Sequence, residues 1–89
     1  MSGWWVYIVR CGDGSLYTGI ARDVEARLAA HTSGSGARYT RARQPLALVY
    51  REPRASRASA QRREAAIKRL ARDEKQALIA RGVPRRARR

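Results

Sequence analysis

The chain has 89 residues, 44% of them hydrophobic, with 20 Lys and Arg against 7 Asp and Glu, a formal charge of +13. That length allows one domain with a modest core, of the kind that buries about 60% of the surface an unfolded chain exposes. A single cysteine, Cys11, excludes an internal disulfide and a multi-cysteine zinc site and fits a reducing cytoplasm, and no stretch approaches the ~20 apolar residues of a membrane span.

In chain order, residues 4–11 (WWVYIVRC) form a β-rich run bounded by Gly12-Asp13-Gly14-Ser15. Residues 16–20 (LYTGI) form a second, so the two read as a hairpin. Asp23 is placed to cap a helix over DVEARLAAH, which ends before the flexible Gly/Ser stretch at 33–36. A basic, aromatic segment, GARYTRAR, follows. Pro45 opens a strand, PLALVYRE. Ser56 or Ser59 begins a long helical pattern to about Ala71, with Ile67, Leu70 and Ala71 as its apolar stripe. A further helix runs over DEKQALIAR to Gly82, with Asp73 and Glu74 at the positive end of its dipole. The order implies an α+β domain over residues 1–82, a three-stranded, mainly antiparallel sheet flanked by helices, and a basic tail over 83–89.

Eighteen of the twenty cations are Arg, whose planar fork of donors fits phosphate oxygens bidentately. The expected partner is a polyanion, nucleic acid before membrane, because no basic stretch carries the bulky apolar face of an interfacial helix.

Some polar residues fall where burial is expected. Steps of about 100° per residue put Arg27 and His31, one turn apart, on the buried side of the first helix or at its margin. Each there needs a polar partner or a solvent-filled cleft; alternatively, His31 simply caps the helix C-terminus. Glu64 lies at the margin of the long helix. Its plain reading is an i, i+4 ion pair with Lys68, and its sharper one a carboxylate for Mg²⁺. Tyr7 shares a strand face with Trp5, Val9 and Cys11, and Gly19 permits close approach of another group. A two-residue Asp13-Gly14 turn would put Tyr7 and Tyr17 on opposite sheet faces. An odd loop of three or five residues would put them on the same face.

Val6-Tyr7-Ile8 and Tyr17-Thr18-Gly19 resemble the paired GIY and YIG elements of the GIY-YIG nuclease family. RLAAH at 27–31 resembles its Arg and His segment, and Glu64 in REAAIKRL its metal-binding Glu. The small stand-alone bacterial members are the nearest in kind. The resemblance implies a cleft lined by Tyr7, Tyr17, Arg27, His31 and Glu64, and hydrolysis of phosphodiester bonds in DNA with one Mg²⁺ or Mn²⁺ on Glu64. In that scheme Arg27 meets the scissile phosphate, and Tyr17, helped by His31, stands beside the attacking water while Tyr7 orients, although the sequence leaves open which of the two tyrosines is the base. Where many members carry an Asn after the metal Glu, the stretch Arg72 to Gln76 offers Gln76. A binding module of the same fold, acting on DNA or RNA or through a protein partner, is the alternative. Arg38, Tyr39, Arg41 and Arg43, with Arg63 and Lys68, are the expected nucleic-acid contacts. DNA is expected ahead of RNA, with the protein cytoplasmic and on the nucleoid when bound.

Overall fold

In a computed structural model the described residues are 3–33 and 38–82. The expected Gly/Ser stretch at 34–36 and the basic tail at 83–89 lie outside them. The elements are β1 (Trp4–Arg10), β2 (Leu16–Ala21), α1 (Val24–Thr32), α2 (Arg38–Arg41), β3 (Ala47–Arg54), α3 (Arg57–Lys68) and α4 (Arg72–Arg81).

The sheet has the order β2-β1-β3, and both pairings are antiparallel. This is the expected α+β architecture. The central strand is covered on both faces, which is why its sequence is a continuous apolar run rather than an alternating one. Val6 and Ile8 point to one side, where Tyr50, Ala60, Ile67 and Leu78 bring α3 and α4 against the sheet. Tyr7 and Val9 point to the other, where they meet Ala21 and Val24, with Leu28 alongside, under α1.

The hairpin turn settles the face of the two tyrosines. The Gly14 amide donates to the Cys11 carbonyl at 2.9 Å, and the Cys11 amide donates to the Ser15 carbonyl at 2.8 Å. Three residues therefore form the loop, with Gly14 at φ 87°, a region where a side chain would be strained. The register pairs Tyr7 with Gly19 and Val9 with Tyr17, so Tyr7 and Tyr17 share a face.

The helix starts follow the expected chemistry. Asp23 accepts from the Ala26 amide and Ser56, rather than Ser59, caps α3 by accepting from the Ser59 amide. Glu74 accepts from the Ala71 amide at the start of α4, and Gly82 ends that helix. Ala71 is thus exposed at a helix start and not part of the α3 stripe. The strand begins at Ala47, two residues after Pro45. The segment read as a basic loop contains α2, a single turn with Thr40 buried inside it.

Candidate active site

The site forms at the β2 edge of the sheet, under α1. The Tyr7 ring crosses its neighbouring strand so closely that a Cβ on Gly19 would lie 2.6 Å from the hydroxyl oxygen. A glycine opposite Tyr7 is therefore a geometric requirement of the site, not only of the strand. The Tyr7 hydroxyl is 3.0 Å from His31 Nε2, and His31 Nδ1 is 2.7 Å from Thr40 Oγ1. One turn back on α1, the Arg27 charge acts on both Tyr7 and His31. Arg27 lines an open cleft of about 430 Å³ along the β2–α1 margin, together with Trp4, Ile20 and Arg22.

His31 is wholly buried, with both ring nitrogens engaged, so it does more than cap a helix end. The half-buried Tyr17 ring meets the imidazole edge on, with centroids 5.4 Å apart. Sequence reasoning pairs His31 functionally with Tyr17. The hydrogen bond instead joins it to Tyr7, because the three-residue loop sets Tyr7 against Gly19 and turns its hydroxyl toward α1. Tyr17 in turn stacks on Tyr39 at 5.8 Å, and Arg43 lies 3.9 Å over the Tyr39 ring while Asp13 holds its Nε at 3.1 Å.

Glu64 approaches from α3, which packs on the other face and also reaches β2. Its carboxylate pairs with Lys68 at 3.1 Å. The plain reading of Glu64 is thus present in the geometry. Among the described residues no three His, Cys, Asp or Glu side chains gather as a ready metal cluster. The donor on offer is one hard carboxylate, with about a quarter of its side chain exposed. Such a donor fits Mg²⁺, which keeps most of its waters.

Burial pushes the Tyr7 hydroxyl above its ordinary value; the charges of Tyr17 and Glu64 add to the shift and Arg27 opposes it. Burial, with the charge of Arg27, pushes His31 below the usual imidazole value. Near neutral pH the pair is therefore a protonated phenol beside a neutral imidazole.

Of the other expected contacts, Arg38 and Arg41 are exposed on α2, with Tyr39 between them. Lys68 is exposed beside Glu64. Arg63 faces the opposite side of the molecule, where its Nε donates to Glu52 at 2.9 Å. Glu52 is the buried acid that sequence reasoning overlooks. Only 6% exposed, it accepts from the Tyr50 hydroxyl, from Arg63 and from Arg54 at 3.2 Å. Burial and the Glu52 hydrogen bond push the Tyr50 hydroxyl up to about 12. The alternation in PLALVYRE already places Tyr50 and Glu52 on one face; the arginine from α3 is what that pattern does not reveal.

Comparison with known proteins shows the family and the fold. Residues 3–77 match the sequence model described as the GIY-YIG catalytic domain. The chain is 49% identical over 79 residues to UPF0213 protein SH2523 of Staphylococcus haemolyticus, covering 89% of this chain and 96% of that one. It is 51% identical over 77 residues to UPF0213 protein DP2720 of Desulfotalea psychrophila, covering 85% and 70%. The solution NMR structure of UPF0213 protein BH0048 from Bacillus halodurans superposes with a TM-score of 0.57 at 44% identity, covering 86% of this chain and 82% of that one.

Proposed function

Because the chain belongs to the GIY-YIG family, we propose that it is a divalent-metal-dependent endonuclease that hydrolyses phosphodiester bonds in DNA, in particular the nicked or branched DNA met in repair. The observation that supports this reading is the cluster on one face of the sheet, with the Tyr7 hydroxyl on His31 Nε2, the Tyr17 ring edge-on to the imidazole and the Arg27 charge acting on both Tyr7 and His31. A structural core has little use for a wholly buried imidazole hydrogen-bonded to a buried phenol, since both cost free energy to bury.

The chemistry follows from protonation states. A free phenol, with a pKa near ~10, is a poor base at neutral pH. With a neutral imidazole hydrogen-bonded to it, the Tyr7 oxygen takes a proton from water as its own proton passes to His31 Nε2. The phenol never has to hold a full negative charge. Arg27, at the cleft, holds a non-bridging phosphate oxygen and meets the charge that builds on it. Tyr17 packs beside the relay, leaving Tyr7 as the group that touches the reacting water. Glu64 would hold Mg²⁺ or Mn²⁺ in place of its pairing with Lys68. Such an ion supplies Lewis-acid stabilisation of the phosphate and leaving oxygen. Arg38, Tyr39, Arg41 and Arg43, with Lys68, form the cationic approach to the site, and Arg63 adds charge from the far side.

Retention of the fold as a nucleic-acid-binding module is the second reading. It is favoured by the Glu64–Lys68 pair and by Gln76 on α4, where the family resemblance leads one to expect Asn. One experiment separates the two. Labelled branched DNA, nicked duplex and RNA are incubated with Mg²⁺, Mn²⁺ or EDTA, using the wild type and Glu64→Ala. Metal-dependent cutting by the wild type, lost by about 10² or more in Glu64→Ala with binding retained, supports the enzyme. Equal loss of cutting and binding counts against it.

A further inference from the structure

We infer that Thr40 is a positioning residue for this reaction: its hydroxyl accepts from His31 Nδ1–H and so keeps the Nε2 lone pair turned toward the Tyr7 hydroxyl. The inference rests on the hydrolytic role proposed above for Tyr7 and His31.

A neutral imidazole has one N–H and one lone pair, and only the form with the lone pair on Nε2 can receive the Tyr7 proton. Among the described residues, the Tyr7 hydroxyl at 3.0 Å faces Nε2 and Thr40 Oγ1 at 2.7 Å faces Nδ1. The threonine hydroxyl can donate or accept, so the choice is made at the other end. A phenol O–H is more acidic and a poorer acceptor than the aliphatic hydroxyl of threonine, so of the two hydroxyls Tyr7 is the better donor to an imidazole lone pair. The Tyr7 proton is therefore best directed to Nε2, 3.0 Å away. The opposite tautomer would aim an N–H at the poorer acceptor and deprive the phenol proton of its acceptor. Nδ1 therefore carries the proton, and Thr40 is the acceptor that holds it.

The surroundings of Thr40 fit this task. It lies in a segment otherwise exposed and basic, yet it is wholly buried, the one buried residue of α2. The Gln44 side-chain amide donates to the His31 carbonyl at 2.7 Å and to the Thr40 carbonyl at 3.2 Å. The Arg43 amide closes the turn onto the same Thr40 carbonyl at 3.1 Å. The end of α1 and the single turn of α2 are thus fastened together at the two residues that share the hydrogen bond. The rings of Tyr7 and Tyr17 lie edge-on to the imidazole, and the Arg27 charge acts on it.

The chain has one histidine, so the tautomer can be read without ambiguity from the long-range ¹⁵N–¹H spectrum of the full ¹⁵N-labelled protein. The wild type is expected to show the Nδ1–H form. Thr40→Val keeps the side-chain shape and removes the acceptor. It is expected to shift His31 toward Nε2–H and to slow cleavage of labelled DNA roughly tenfold or more without weakening DNA binding, a loss of the size usual for orienting partners. Thr40→Ser is expected to restore both the spectrum and the rate. An Nε2–H wild type overturns the inference, whether or not Thr40→Val folds. So does a folded Thr40→Val that keeps Nδ1–H and the full rate. A wild type that shows Nδ1–H but cuts no substrate defeats the nuclease reading while leaving the hold of Thr40 on His31 in place.

Discussion

Two buried tyrosines, one on each face of the same sheet, are hydrogen-bonded to titratable partners, and they are built for opposite ends. Tyr50 donates to Glu52, a carboxylate already matched by Arg54 and Arg63, and its proton is held up to about pH 12. Tyr7 meets His31, a neutral base, and the charge of Arg27, which itself lines an open cleft, acts on both. The first network locks a proton in place and fastens α3 to β3. The second offers a proton somewhere to go. Burial raises both phenols, so burial alone does not identify a catalytic tyrosine; the protonation state of its partner does.

The contrast can be broken in graded ways. The largest effect on stability is expected at Glu52. Glu52→Ala leaves Arg63 and the Tyr50 hydroxyl without their buried partner and should cost about 3 kcal/mol, toward the low end for a broken buried pair because Arg63 is a third exposed. Urea denaturation monitored by circular dichroism measures this, and a cost under ~1 kcal/mol would show that the network contributes little. Gly19→Ala should cost about 1–3 kcal/mol, because its Cβ would meet the Tyr7 hydroxyl at 2.6 Å and force the ring to move. The same change should abolish cleavage, because it shifts the one oxygen on which the relay depends. Retained cleavage in a folded Gly19→Ala protein would place the chemistry elsewhere.

The two networks should also differ in the pH at which they weaken the fold. His31 titrates below its unfolded value of 6.5 in the folded state. The unfolded chain therefore binds more protons as pH falls through 6.5. The His31 contribution is complete above 6.5 and is lost as pH drops below it. Tyr50 is shifted from 10.0 to about 12, so the unfolded chain loses its proton first, and stability falls as pH rises from 10 toward 12. Melting temperature against pH should show the part of the acid limb just below 6.5 reduced by His31→Gln, and an alkaline limb, to which the raised Tyr7 also adds, reduced by Tyr50→Phe.

Much of this was legible in the sequence because local chemistry decided it. Asp23 and Ser56 mark helix starts by what their side chains can accept, and the unbroken apolar run of β1 reports a strand covered on both faces. Arg27 and His31 stood out because one helical turn puts both on a side that must be buried. The partner of His31 was not legible, since it depends on a hairpin loop whose length the residues Gly12 to Ser15 leave open. Thr40 was hidden because a single helical turn has no periodicity and RYTRAR reads as a solvated loop. Glu52 was hidden because its arginine arrives from a different element, eleven residues on.

The most direct test replaces each phenol by Phe and compares both proteins with the wild type in DNA cleavage with Mg²⁺ and in denaturation. Tyr7→Phe should reduce cleavage by about 10² or more with the fold retained, while Tyr50→Phe should keep full cleavage and lose about 1 kcal/mol of stability. A Tyr7→Phe protein that cuts as fast as the wild type would contradict the proton path, and with it the distinction drawn between the two tyrosines.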